Sequence, residues 1–204
     1  MKKLMVVFCS VLVFTAIAAL SASAANVEVS LGGEQLTMNY QGGPTVLSKA
    51  KSAADVKLPT GEAWKASFAA DKKTLSVSEV SGQTKFYFPN VAIAVQAGQQ
   101  LSVQLNEKGW VTEIDYPGNN GPLFVFLPDG GRLEMEIASR VSFLFMADGT
   151  MKITVVSGNV KYRDSKGKLT VLSTGQSIFV AGFSGMPAWR TTEATGPSAS
   201  PIKF

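Results

Sequence analysis

From Thr74 to Val180 the chain is written in short runs of alternating apolar and polar residues, each cut off by a turn former. Leu133, Met135 and Ile137 alternate with Glu134 and Glu136; Val141, Phe143 and Phe145 share one parity, as do Met151, Ile153 and Val155. A period of two puts every second side chain on one face, which is what a strand with one buried face requires. The interruptions are Asp129-Gly130, Asp148-Gly149, Ser157-Gly158, Lys166-Gly167 and Thr174-Gly175. Glycine tolerates the positive φ of hairpins and tight corners, so these pairs read as places where one strand ends and the next begins. Turns recur about every 8 to 10 residues, the spacing of a sandwich, barrel or coil of strands. The expected fold class is all-β, built of short stacked or coiled strands.

The residues before Thr74 are less regular. "NVEVSL" and "QLTMNY" form an expected hairpin around Gly32-Gly33-Glu34. Gly42-Gly43-Pro44 then breaks the strand pattern, and Val46 to Asp55 is the one stretch that reads as a short helix, stopped by Pro59 and Gly61. The tail from 182 to 204 is rich in Pro, Ser and Thr and has no period; Trp189 is its one candidate for docking onto the body. The expected organisation is a leader over 1–24, a hairpin and linker over 25–69, a β domain over 70–181, and the tail.

Within the β domain the chain repeats itself. Ala70-Asp71 matches Ala147-Asp148, Val80-Ser81-Gly82 matches Val156-Ser157-Gly158, Lys85-Phe86 matches Lys161-Tyr162, and Gly98-Gln99 matches Gly175-Gln176. The offset stays at 76 or 77 residues, which predicts an internal repeat of 70–105 in 147–181. Gly82, Gly98, Gly158 and Gly175 are expected at sharp corners, and Gln176 is placed to cap exposed backbone groups at the last of them.

The stretch from 122 to 180 resembles the FecR domain family. The matching grammar is a "DG" turn followed by an alternating strand, then V-x-x-G-x-V from Val155 to Val160, then L-x-x-G-Q from Leu172 to Gln176. The resemblance implies a small β-fold of short, coiled, stacked strands in an envelope protein. The best-known members are membrane-spanning regulators that pass a signal from an outer-membrane receptor to a sigma factor. This sequence has no cytoplasmic segment in front of its leader, so the resemblance points to an exported domain and away from an anti-sigma regulator.

The leader itself is read from Lys2-Lys3, the apolar run Leu4 to Leu20 and the small residues Ala22-Ser23-Ala24, the pattern of a secretory signal cleaved near Ala24. Retention as a membrane anchor is the alternative, since about 17 apolar residues is the lower limit of a span. No comparable run follows, so no integral membrane segment is expected after cleavage, and the location expected is periplasmic or secreted.

The single cysteine, Cys9, lies inside that leader, and the sequence has no histidine. Thiolate chemistry, disulfides, Ser-His-Asp triads and His/Cys zinc sites are therefore excluded from the exported part. Of the 19 basic residues two fall in the leader, against 15 acidic ones, a balance too even to predict nucleic-acid binding. No cofactor or metal is implied.

Several groups are candidates for chemistry. Glu134 and Glu136 share a strand face, but alternate with core residues as a solvated face does. Asp115, Asn119 and Asn120 bring hard oxygen ligands to "DYPGNNGP", without the spacing of a calcium loop. Ser48-Lys49 and Ser165-Lys166 are adjacent pairs, not the spacing of a Ser-Lys nucleophile. The binding candidates are Tyr87, Trp110 and Tyr116, which would form a flat apolar patch for a glycan or protein if exposed together. The expected function is a non-enzymatic, exported module that binds a protein partner or an envelope glycan through strand edges or aromatics, in envelope signalling or assembly. The rivals are a lipid or glycan carrier, whose apolar stripe would be open at one end, and a hydrolase using carboxylates.

Overall fold

The computed structural model describes residues 24–48, 53–69, 71 and 73–181. The expected leader up to residue 23 (with Cys9), Lys49, Ala70, and the tail with Trp189 lie outside these residues.

The described chain is all-β, with 17 strands in two sheets. It lays down β1 (Ala25–Gly32), β2 (Gln35–Tyr40) and β3 (Gly43–Leu47) in one sheet. The next three, β4 (Ala53–Lys57), β5 (Ala63–Phe68) and β6 (Thr74–Ser81), belong to the other. From there the chain changes sheet every two strands. β7 (Thr84–Tyr87) and β8 (Ala92–Val95) return to the first sheet, and β9 (Leu101–Leu105) and β10 (Val111–Tyr116) to the second. β11 (Leu123–Phe126) and β12 (Arg132–Met135) go back, followed by β13 (Ser139–Phe145) and β14 (Met151–Ser157) in the second. β15 (Asn159–Arg163) and β16 (Leu169–Ser173) close the first sheet, and β17 (Ser177–Val180) closes the second.

The nine-stranded sheet has the order β16-β15-β12-β11-β8-β7-β1-β2-β3, and the eight-stranded sheet the order β17-β14-β13-β10-β9-β6-β5-β4. β1 to β3 run from beside β7 out to the β3 edge; from β4 on, each new hairpin is added beside the previous one in its sheet, so the body then grows from the β3/β4 end to the β16/β17 end. Every described pairing is antiparallel except β1 with β7, where Val27 stands opposite Phe86. That parallel pair and the antiparallel pair β5–β6 join residues 25–69 to the later strands, and one hydrophobic cluster runs through both segments.

Inward residues of the two sheets meet in that cluster. Trp64 on β5 stands edge-on to Tyr40 on β2 and Phe86 on β7, with centroids 5.6 Å apart in each case, so one indole locks three strands from both sheets. Asn90, between β7 and β8, makes a second link. Its Nδ2 donates to the Val111 carbonyl at 3.0 Å, and its Oδ1 accepts the Val111 N–H at 2.8 Å. The side chain is fully buried, and both halves of its amide are satisfied.

The helix expected over Val46–Asp55 is absent from the described part of that stretch. Val46 and Leu47 belong to β3, and Ala53, Ala54 and Asp55 to β4; residues 49–52 lie outside the described chain. Leu47 pairs with Leu36, and Val56 with Trp64, each turning a buried side chain into the core. Ladder partners on β2 and β5 satisfy the backbone there, and that tertiary gain overrides the local preference of an Ala- and Lys-rich run. No helix among the described residues is long and apolar enough to cross a membrane.

Several described residues matched in sequence stand at like places in the fold. Gly82 and Gly158 both sit where the chain leaves the eight-stranded sheet for the nine-stranded one, with φ of 76° and 79°. Gly98 and Gly175 both sit at the reverse crossing, with φ of 79° and 83°. After each of these comes a glutamine whose Oε1 accepts a backbone N–H three residues back: Gln99 from Gln96 at 2.9 Å, and Gln176 from Ser173 at 2.8 Å. Asp71 and Asp148 both accept backbone N–H groups in the turn before the incoming strand; those bonds hold the Asp71 carboxyl below the usual range, and the Thr150 hydroxyl followed by its N–H does so for Asp148.

Between the two copies lies a third round, β10 to β13, that the residue matches do not show. Ala138 stands at its nine-to-eight crossing with φ 60°, where the other rounds have glycine. The 76-residue offset therefore spans two rounds of four strands.

Candidate interaction site

The three aromatics expected to form a patch are not exposed together. Tyr87 does point away from the core, opposite Phe86 and Phe88 as the alternation predicts, yet it is only 6% exposed. Its hydroxyl reaches Asn26 Oδ1 at 3.4 Å, and the Lys85 ammonium stands 5.1 Å from its ring. Both faces of β7 and β8 are buried, as for strands in the middle of a wide sheet.

Tyr116 is fully buried on the other sheet. A register shift between Val111 and Glu113 in β10 turns Ile114 and Tyr116 inward together. The Tyr116 hydroxyl donates to the Gly121 carbonyl at 2.5 Å, and burial pushes its pKa up. Trp110 is half-buried, edge-on to Phe145 at 4.6 Å. One candidate thus lies on each of two different sheets and the third beside a hairpin turn, so they cannot form one surface.

The other candidates take structural places. Glu134 accepts from Arg132 at 2.9 Å and Glu136 pairs with Lys161 at 3.1 Å, both on the outer face of the nine-stranded sheet. In the "DYPGNNGP" loop the Asn120 side chain donates to the Ala97 carbonyl at 2.6 Å. Gln99 in turn donates to the carbonyls of Asn120 and Pro122 at 2.8 and 3.1 Å, so the loop's polar groups serve to fasten it to the neighbouring corner. Asp115 lies 3.8 Å from Arg140. Ser165 and Lys166 occupy the β15–β16 turn, where Asp164 accepts the Lys166 and Lys168 N–H groups. Among the described residues no three Asp, Glu, His or Cys side chains are grouped to hold a metal ion.

What stands out instead is the far end of the body. Apart from Val46, every exposed large apolar side chain among the described residues lies between Ile137 and Phe179. Leu169 and Val171 project from β16, the last strand of one sheet, and Phe179 from β17, the last strand of the other, at 46, 58 and 66% exposure. Leu144, Lys152 and Phe179 stand in one row across β13, β14 and β17, with the Lys152 ammonium 6.0 Å from the Phe179 ring.

The two ends of the stack differ in kind. At the first end β3 carries Pro44, which removes a ladder donor, and β4 carries Asp55 and Lys57, devices that discourage edge pairing. At the far end "LTVLS" and "SIFV" hold neither proline nor charge, and β16 and β17 each have one ladder neighbour among the described strands. The signal was present in the sequence: "LTVL" and "SIFV" place apolar residues at both parities, more than one buried face can use. Comparison of the chain with protein-family models, with curated proteins and with solved structures finds no match.

Proposed function

We propose that this chain is an exported, non-enzymatic binding module of the bacterial cell envelope, FecR-like in its short stacked strands, that takes up an extended segment of a partner protein along its unguarded end. The contrast between the two ends of the stack carries this reading. An edge strand offers a row of unpaired N–H and C=O groups, and a partner strand that pairs with it gains main-chain hydrogen bonds at modest entropic cost. The outward apolar side chains of β16 and β17 supply the pockets that alternate residues of such a segment would fill. Edge strands without charge, beside an outward row broken only by Lys152, fit a largely apolar strand, so a highly basic segment is not the occupant.

Site-specific photo-crosslinking in intact cells tests this. A photoreactive phenylalanine at Phe179 is expected to trap one defined protein, a photoreactive residue at Val46 is not, and the trapped band disappears in a Leu144→Lys background. Equal trapping at both ends, or none at Phe179, overturns the reading. So does hydrolysis of an envelope polymer by the purified protein that Glu134→Gln abolishes without unfolding the chain.

A further inference from the structure

Beyond its strand edge, the outer face of the nine-stranded sheet carries an arrangement that the stacking of strands does not need. Arg132 on β12 stands directly opposite Arg163 on β15. Like charges in register across an antiparallel pair destabilise a sheet. Glu134 relieves one of them, accepting from Arg132 Nη2 at 2.9 Å. Arg163 makes no ion pair among the described residues; its Nη1 donates to the Gly167 carbonyl at 3.0 Å. The Nε of each arginine is shielded from solvent and has no hydrogen-bond partner.

Aromatic rings border this pair. Phe126 is in register with Arg132 and Phe124 with Glu134, both half-buried on the same outward face, and the Arg132 guanidinium lies 5.5 Å from the Phe124 centroid. Lys161 occupies the next position along β15 and pairs with Glu136 at 3.1 Å. The surface therefore alternates guanidinium, ring and carboxylate, with positive charge left over at Arg163.

We infer that the Arg132–Arg163 face binds a linear acidic glycan, a polymer of carboxylate-bearing sugars. A planar carboxylate set between two guanidinium forks accepts charge-assisted hydrogen bonds from both and cancels their mutual repulsion. The apolar face of a sugar ring lies against Phe124, since the Lys85 ammonium already stands over the Phe126 ring at 4.3 Å. Glu134 and Glu136, interleaved with the cations, repel a polymer of high charge density. That disfavours polyphosphate and nucleic acid and favours one carboxylate per sugar. The site goes beyond the strand-edge reading, which is tested at Phe179 on the other sheet, so failure of either leaves the other standing.

The test is titration calorimetry of the leaderless protein with polygalacturonate, with its fully methyl-esterified form, and with polyphosphate. Polygalacturonate is expected to bind with an affinity that falls as salt rises. The ester, which keeps the sugar and loses the charge, does not bind, and polyphosphate binds more weakly than polygalacturonate. Arg163→Gln, a substitution at a partly exposed site that breaks no ion pair, lowers the affinity by about tenfold or more. Without ligand it loses the bond to the Gly167 carbonyl and the repulsion from Arg132 together, so the melting temperature changes little. Equal binding of the ester, tighter binding of polyphosphate, no binding of polygalacturonate, or an unchanged affinity in Arg163→Gln overturns the proposal.

Discussion

Gly158 and Gly175 share a backbone conformation and differ in what surrounds them, which separates two costs usually measured together. Each has φ near 80°, where a residue with a Cβ pays about 1–2 kcal/mol. Around Gly175 nothing lies within 4 Å of where a Cβ would stand, so Gly175→Ala should cost that strain alone. At Gly158 the same atom would lie 2.6 Å from Ser139 Oγ, 2.8 Å from Ser139 Cα and 2.9 Å from the Ala138 carbonyl oxygen. Ser139 is fully buried and its hydroxyl donates to the Asn159 carbonyl at 2.9 Å, so it cannot step aside without breaking that bond. Overpacking adds about 1–3 kcal/mol and the hydrogen bond about 1 kcal/mol, for a total of about 3–6 kcal/mol. Equilibrium urea unfolding of the two alanine variants measures the difference. The midpoint of Gly158→Ala should fall well below that of Gly175→Ala, with the denaturant slope unchanged in both. Equal losses, or a larger loss at Gly175, would show that the corner at Gly158 is not held by the close approach of Ser139. Ala138→Gly, at the equivalent of Gly175 one round earlier, should be neutral or stabilise by up to about 1 kcal/mol, because it exchanges strain for chain entropy.

Two further outcomes follow from the buried polar contacts. Asn90→Ala orphans the N–H and the carbonyl of Val111 between the sheets and should cost about 2–5 kcal/mol by the same unfolding assay, whereas Asn106→Ala in an exposed turn should cost less. The Tyr162 hydroxyl donates to Asp129 Oδ2 at 3.2 Å, and burial, with the Asp129 carboxylate second, pushes its pKa up to about 12. The folded state holds that proton when the unfolded chain has lost its own, so the stabilisation is complete below pH 10 and is lost as pH rises from about 10 to about 12. Tyr162→Phe should flatten the decline of stability in that window without abolishing it, since Tyr116 is also raised; an unchanged slope would remove Tyr162 from the account.

The period-two alternation and the turn glycines carried the strand content of this protein, because both act over a few neighbouring residues and need no distant partner. Gln99 and Gln176, which match at the 77-residue offset, each accept the backbone N–H three positions back. What the tertiary structure alone decided was which strands become neighbours. Residues 46–47 and 53–55 look helical until β2 and β5 supply ladder partners, and Tyr116 reaches the core because a bulge in β10 turns it inward. Arg132 and Arg163 lie 31 residues apart in the chain and become a pair only when β12 is laid against β15. Exposure, pairing and charge all depend on that assembly, since a strand's two edges and two faces take their character from the strands that cover them.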